Sequence, residues 1–196
     1  MRILAFSGTR YSDESQAGPL AGPPYDQIDE TLREQLQQDP LHFAHLIRPV
    51  GSDNPHRAAA LLHQEWLASG ALSVDEKPAL YPQEILLPDG RRRLGLGTLM
   101  GLEPESSDVI RPHEATVAKT VDERLSLLRE TQIDMEPILV LAEEAGELNR
   151  LLEQDIRDRN PMVEHRDSDG HLHRLFRIND PSRIADYQDH LAPCVG

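Results

Sequence analysis

The stretch LYPQEILLPDGRRRLGLGTLM, residues 80–100, decides the fold class of this chain. Strand-forming residues flank Asp89-Gly90, a dipeptide typical of a tight β-hairpin turn. If Asp89-Gly90 is a two-residue turn, Ile85 pairs with Leu94 and Leu87 with Arg92. The apolar face of the hairpin is then predicted to consist of Ile85, Leu87, Leu94 and Leu96.

A second hairpin is predicted where 162–166 and 171–178 flank Asp169-Gly170. With the same turn, Arg166 pairs with His173 and Ser168 with His171. This hairpin carries several potential metal ligands, namely His165, His171, His173, Asp167 and Asp169. His165 is predicted to lie on the opposite face from the other two histidines, so the sequence predicts no metal site.

Helices alternate with these strands, and most have a recognisable start. N-cap residues are predicted at Asp26, at Asn54 before Pro55, and at Asp180 before Pro181. Thr120 and Glu123 form a capping-box pattern ahead of the apolar stripe Val121, Leu125 and Leu128. Strands are also predicted at 1–6, 43–50 and 137–141. The predicted fold is α+β, with a mixed or antiparallel sheet, two β-hairpins and about five packed helices.

Length and composition limit the architecture and the partners. The 196 residues suit one domain, with sub-lobes predicted at 1–102 and 103–196. A net charge of −14 argues against binding to nucleic acid or to an anionic membrane surface. The single cysteine, Cys194, excludes an intramolecular disulfide and favours a cytoplasmic location. The longest apolar run, 138–142, is too short to cross a bilayer.

His113 and Glu114 are the main candidates for catalysis. Pro112 favours a loop here, and from a loop two adjacent side chains can point into one site. The pair suits a general base with an orienting acid, or two metal ligands, with Lys119 holding an anionic group of the substrate. A solvated loop with a local ion pair is the alternative. Nearby, Arg124 is a candidate phosphate ligand, although a solvated position on the helix surface is the favoured explanation.

A second candidate binding segment is Pro23-Pro24-Tyr25-Asp26, a stiff turn ahead of a helix. Rigid backbone at a helix N-terminus can bind an anion, so Tyr25 and Asp26 are candidate ligands, with Arg10 as a further one. A turn that only separates two secondary-structure elements explains the same residues equally well.

The order of these motifs resembles a bacterial and archaeal family, domain of unknown function 1015. The matching motifs are Arg10-Tyr11, Pro23 to Asp26, Ala58-Ala59, Trp66-Leu67, Gly70-Ala71-Leu72, Pro78 to Tyr81, Pro112 to Thr116, Lys119 and Glu123 to Arg129. Glu123 departs from the Asp usual in that family. The resemblance runs from residue 1 to about 191.

The resemblance implies a longer protein whose second half carries an Asp-Gly-His-His-Arg motif, as in ParB-like nucleotide-binding domains. This chain is therefore expected to be the N-terminal half. Related domains include small-molecule kinases. The resemblance therefore implies that this chain is the acceptor side of a nucleotide-dependent phosphotransferase, which uses Mg²⁺, and that the chain is inactive alone. His113 or Glu114 would be the base, and Lys119 and Arg124 would hold phosphate or a carboxylate. The alternative is a non-catalytic module that binds a complementary C-terminal polypeptide, another partner or a second copy of itself.

Overall fold

A computed structural model describes residues 1–51, 53–104, 107–111, 118–142 and 146–193. The chain divides into two compact units, each assembled from separate stretches. Unit 1 consists of Met1–Arg10, Val74–Pro112 and Leu139–Gly196, and unit 2 of Tyr11–Ser73 and His113–Ile138. The predicted α+β class is confirmed, since helices and antiparallel strands both contribute.

The strands are β1 (Ile3–Leu4), β2 (Thr9–Tyr11), β3 (Leu72–Val74), β4 (Tyr81–Leu86), β5 (Arg92–Gly97), β6 (Leu99–Met100), β7 (Val163–Arg166) and β8 (Leu172–Leu175). The helices are α1 (Ala17–Leu20), α2 (Glu30–Leu36), α3 (Ala44–Ile47), α4 (Pro55–Ala68), α5 (Ala118–Thr131), α6 (Gly146–Arg157) and α7 (Pro181–Leu191).

Unit 1 is built on a four-stranded antiparallel sheet in the order β5-β4-β8-β7, while β1 pairs with β6. Helices α6 and α7 supply the rest of its core. Asp180 caps α7 by accepting a hydrogen bond from the Ser182 N–H at 2.8 Å, as predicted. The largest fully buried side chain, Tyr187, extends from α7 into a core shared with Leu80, Leu152 and Ile178.

Both hairpins are present, but the predicted register of the first is wrong by one residue. Ile85 pairs with Arg93, not Leu94. The Leu87 N–H donates to the Arg91 carbonyl at 2.9 Å, and the Gly90 N–H donates to the Leu87 carbonyl at 3.0 Å. Gly90 has a φ of +87°, which completes a three-residue loop instead of the predicted two-residue turn. Leu94 and Leu96 therefore lie on the sheet face opposite Ile85 and Leu87.

The second hairpin repeats this loop, and its predicted register is wrong for the same reason. The Asp167 N–H donates to the His171 carbonyl at 3.0 Å, and Gly170 has a φ of +83°. His165 pairs with His173, and Arg166 pairs with Leu172. His165 and His173 consequently share one face of the sheet, contrary to the prediction that separated them.

Unit 2 packs around Trp66 of α4. Asn54 caps this helix, as predicted, by accepting from the Arg57 N–H at 3.0 Å. Gly70 follows the end of the helix with a φ of +80°, as is common after a helix C-terminus. The cap of α2 is Asp29, not Asp26, since Asp29 accepts from the Leu32 N–H at 2.8 Å. The predicted strand at 43–50 is instead the helical turn α3, since a short apolar run does not distinguish a buried strand from a helix.

Helix α5 corrects two further expectations. It begins at Ala118, so Thr120 lies inside the helix and is not its N-cap. Its buried positions include Leu127 and Thr131. The stripe Val121, Leu125 and Leu128 is 44%, 37% and 43% exposed, so the expected core-facing stripe faces outward.

The segment 137–141 was predicted as a buried strand, and it is neither a strand nor buried. Ile138, Leu139 and Leu141 are all strongly exposed and the backbone there is irregular. Among the described residues, no helix combines the length and the apolar character needed to cross a membrane.

Candidate functional site

Unit 1 contains a buried carboxylate, Asp75, that organises two arginines. Asp75 directly follows β3, and its N–H donates to the Gly8 carbonyl at 2.9 Å, which fixes its backbone. The side chain is 2% exposed. A buried carboxylate requires paired charges or several donors, because desolvation of an isolated ion costs many kcal/mol.

Asp75 receives those donors from three side chains. Arg10 Nε donates to Oδ1 at 3.1 Å and Arg177 Nη1 donates to the same oxygen at 2.7 Å. The Tyr81 hydroxyl donates to Oδ2 at 2.7 Å. Burial alone would raise the pKa of Asp75, but the hydrogen bonds from Tyr81 and Arg10 and the charge of Arg177 outweigh it and lower that pKa.

Tyr81 links this cluster to the opening of the chain. Its hydroxyl accepts a hydrogen bond from the Gly8 N–H at 2.7 Å. A Cβ at Gly8 would lie 2.8 Å from that hydroxyl, so the close approach requires glycine. Burial, followed by the hydrogen bond to Asp75, raises the pKa of Tyr81 to about 12. Tyr81 is therefore a neutral donor at physiological pH and is unsuited to act as a base.

The result is a pair of guanidinium groups that share one carboxylate. Both guanidinium groups donate to the same oxygen of Asp75. The Arg10 and Arg177 side chains remain 26% and 40% exposed, so solvent reaches both. Arginine binds carboxylate and phosphate oxygens through a planar fork of N–H donors. Chemically, this arrangement suits the binding of a small anion.

In unit 2, the structure brings together two predicted site residues, Tyr25 and Arg124. The Arg124 guanidinium lies 4.2 Å from the centre of the Tyr25 ring. Both terminal nitrogens of Arg124 also donate to the Ile47 carbonyl at 3.3 Å. These contacts join α5 to the end of α3 and to the turn at Tyr25, so Arg124 has a clear packing role.

A carboxylate of the protein occupies the anion position predicted at this turn. The Tyr25 N–H donates to Glu136 Oε1 at 3.0 Å, and Glu136 Oε2 lies 3.5 Å from Arg124 Nη1. Asp26 is exposed in a 3₁₀ turn beside them. Backbone and guanidinium do create an anion site here, as the sequence suggested, but its ligand is Glu136, which sequence reasoning did not identify.

The remaining predicted residues are only partly described. His113 and Glu114 lie outside the described residues. Lys119 lies in the first turn of α5. Arg10 belongs to unit 1, whereas Tyr25, Asp26 and Arg124 belong to unit 2.

Unit 1 also has a charged cleft of about 480 Å³ on the sheet face that bears Glu84. Glu84 is 6% exposed and accepts from Arg174 Nη1 at 3.2 Å and Arg92 Nη1 at 3.5 Å. Glu164 and Glu153 pair with the same two arginines. Arg157 and Arg159 also line this cleft, so both the cleft and the pair at Asp75 present guanidinium groups.

Sequence reasoning missed Asp75, Arg177 and Glu84. A polar residue inside a strand pattern, as at Glu84, is a signal that could have been used. The contact between Asp75 and Arg177 joins distant parts of the sequence, and no local pattern specifies it.

These features define a mixed α+β protein with an arginine pair that suits an anion. Comparison of families then places the chain directly: residues 3–194 match the family described as Protein of unknown function (DUF1015), and the chain belongs to that family. Neither a curated protein nor a solved structure gives a significant match.

Proposed function

We infer that this chain forms the acceptor side of a nucleotide-dependent phosphotransferase that acts on a small hydroxylated metabolite. The observation that carries this proposal is the pair Arg10 and Arg177 on the buried Asp75. A phosphotransferase must hold an acceptor in line with the transferred phosphoryl group, and an anionic handle on the acceptor provides a fixed point for that orientation.

In unit 1, Arg10 and Arg177 are proposed to bind a carboxylate or phosphate group of the acceptor. Separately, and from the family resemblance alone, His113 or Glu114 is proposed as the base for the acceptor hydroxyl, and Lys119 as a ligand of an anionic group. None of these residues is proposed to bind the nucleotide or its Mg²⁺. The Asp-Gly-His-His-Arg segment that the family resemblance implies is proposed to bind them. Arg124 is not assigned a ligand, because its guanidinium already holds Tyr25, Ile47 and Glu136.

The first test is calorimetric titration of the protein with inorganic phosphate. Arg177→Gln should weaken binding by about tenfold or more, since a hydrogen bond to a charged group contributes roughly 1.5–3 kcal/mol. Arg91→Gln is a matched control in the same unit, because Arg91 is 75% exposed and pairs only locally with Asp89. If Arg177→Gln and the wild-type protein bind phosphate with equal affinity, the arginine pair is not an anion-binding site and that part of the proposal is wrong.

The second test measures nucleotide binding and transfer. The isolated chain should bind ATP with Mg²⁺ more weakly than about 1 mM, and a tighter complex would contradict the division of roles. The chain is then mixed with a polypeptide carrying the Asp-Gly-His-His-Arg segment, ATP and a panel of hydroxylated acids, and phosphorylated product is measured. If His113→Ala and Glu114→Ala both leave transfer unchanged, neither residue is the base.

The exposed stripe of α5 favours a second function, that of an interaction module. Val121, Leu125 and Leu128 follow one another on one outward face of the helix. Under this alternative, the same Asp-Gly-His-His-Arg polypeptide binds that face. Leu125→Gln should then weaken the complex in sedimentation experiments, whereas Leu61→Gln, on the exposed side of α4, should not. Equal binding by both variants would exclude the stripe as the contact.

A further inference from the structure

The loop that connects β7 to β8 places two imidazoles and a carboxylate around one point. His171 Nδ1 lies 3.1 Å from Asp167 Oδ2, and His173 Nε2 lies 2.9 Å from the same oxygen. One ligand atom from each of the three residues lies within 4.8 Å of the other two. In a tetrahedral zinc site with bonds of ~2.1 Å, neighbouring ligand atoms are ~3.4 Å apart. The observed spacing therefore needs only small side-chain adjustments to hold an ion.

The carboxylate is already oriented for this role. Asp167 Oδ1 accepts hydrogen bonds from the N–H groups of Asp169 at 3.0 Å and His171 at 2.8 Å. Those two bonds fix the carboxylate plane and leave Oδ2 directed toward the imidazoles. Backbone donors of this kind hold a ligating carboxylate in place as outer-shell partners do in metal sites.

The corrected register brings a third imidazole to the same sheet face. His165 pairs directly with His173, and Ile85 pairs with His173 from the other side. Residues opposite each other on antiparallel strands have Cβ atoms only about 5 Å apart. A one-residue shift would have turned His165 to the opposite face, so the three-residue loop is what allows this cluster to form.

We propose that Asp167, His171 and His173 bind a divalent transition-metal ion of the Zn²⁺ type. Imidazole and carboxylate together are a common zinc ligand set. Each imidazole coordinates in its neutral form, with its proton on the ring nitrogen that faces away from the ion. His171 and His173 therefore exchange their hydrogen bonds to Asp167 for metal bonds, and in each neutral imidazole the proton of the coordinating nitrogen moves to the other ring nitrogen. The proposal is independent of the proposed phosphotransferase function.

The test is calorimetric titration of the untagged full chain with Zn²⁺, together with the visible absorption of the Co²⁺ complex. The wild-type protein should bind one ion with a Kd of about 10 µM or tighter. His173→Gln and Asp167→Asn should each weaken binding by about 100-fold or more, because loss of an outer-shell partner alone costs 10–100-fold. Asp167→Asn retains the oxygen that accepts the loop N–H groups, so its effect is separable from misfolding, which circular dichroism monitors.

His56→Gln on α4 is the control, since His56 is also a partly exposed histidine but lies in unit 2. It should bind Zn²⁺ like the wild-type protein and give the same Co²⁺ spectrum. The proposal is overturned if the wild-type protein binds no ion at 1:1 stoichiometry, or if His173→Gln retains wild-type affinity.

Discussion

The replacement Asp75→Asn tests the central contact of unit 1. Asparagine has nearly the same shape as aspartate and retains an oxygen that can accept from Arg10 and Arg177. It removes the negative charge that the two guanidinium groups share. The two bonds from the arginines are thus preserved without the charge, whereas the Tyr81 hydroxyl loses Oδ2 as its acceptor and faces the new amide group. The measured change reports mainly on the lost charge.

The expected loss of stability follows from the geometry. Two hydrogen bonds between ionised partners, at 3.1 and 2.7 Å, become bonds from a charged donor to a neutral amide oxygen. Removal of one partner of a buried ion pair costs roughly 3–5 kcal/mol. Solvent screens part of this cost, because the two arginines are 26% and 40% exposed. The net destabilisation should be about 2–3 kcal/mol, which lowers the Tm of a chain of this size by roughly 4–12 °C.

The dependence on pH provides an independent check. Since the pKa of Asp75 is lowered below its ordinary value of 3.8, its stabilising contribution is complete above pH 3.8. That contribution is lost as the pH falls below 3.8, through the lowered folded-state pKa. The amide introduced by Asp75→Asn cannot titrate, so the stability difference between the two proteins should shrink as the pH falls from 3.8. Other acidic groups are common to both proteins and cancel in the comparison.

The assay is denaturant unfolding followed by circular dichroism at a series of pH values, with hydrogen exchange of the β4 amides to report on unit 1. Tryptophan fluorescence is unsuitable as the main signal, since the single tryptophan, Trp66, belongs to unit 2. Asp89→Asn removes a carboxylate from an exposed pair and should have little effect. Equal stability of Asp75→Asn and the wild-type protein at pH 7, or a difference that stays constant down to low pH, would refute the electrostatic account.

Three smaller predictions concern individual contacts. Tyr187→Phe should lower the free energy of unfolding by about 1–2 kcal/mol, because it removes the donor that lies 2.8 Å from the buried Asp155; a loss within error in denaturant unfolding would contradict this. Gly90→Ala should lower the free energy of unfolding by about 1–2 kcal/mol, because Gly90 has a φ of +87° that alanine adopts only with strain. Gly95→Ala, in a strand position without positive φ, should cause no such loss, and equal Tm values for the two variants would show that the loop is unstrained. Arg124→Lys should lower the Tm by several degrees, because lysine cannot both stack on Tyr25 and donate twice to Ile47, while Arg129→Lys on the same helix serves as the exposed control.

Helix starts could be predicted well where the signal is local and strong. Asn54-Pro55 and Asp180-Pro181 each combine a side-chain acceptor with a residue fixed at a helical φ, and both helices begin there. Thr120 has the same type of signal without the proline, and the helix begins before it. A capping pattern inside a sequence that can already be helical does not exclude an earlier start.

The side of an element that faces the core was harder to predict. On α5 the apolar stripe Val121, Leu125 and Leu128 was the obvious core face, yet Leu127 and Thr131 are the buried positions. In the hairpins, Asp-Gly suits a two-residue turn and also the end of a three-residue loop, because both need a glycine with positive φ. The two loops differ by one residue in register, and that shift moves each side chain of one strand to the other sheet face relative to the partner strand. The dipeptide alone does not distinguish them.

The motifs that identify the family do not all point to a ligand. Tyr25 belongs to one motif and Arg124 to another, and the structure explains their joint presence by direct stacking, with Glu136 as the third member. A motif pair of this kind specifies how unit 2 packs. Arg10 is different, because it shares the buried Asp75 with a second arginine and both guanidinium groups remain partly exposed. Among the predicted binding residues that the structure describes, Arg10 is therefore the strongest candidate for contact with a substrate, and the comparison of Arg177→Gln with Arg91→Gln tests that distinction.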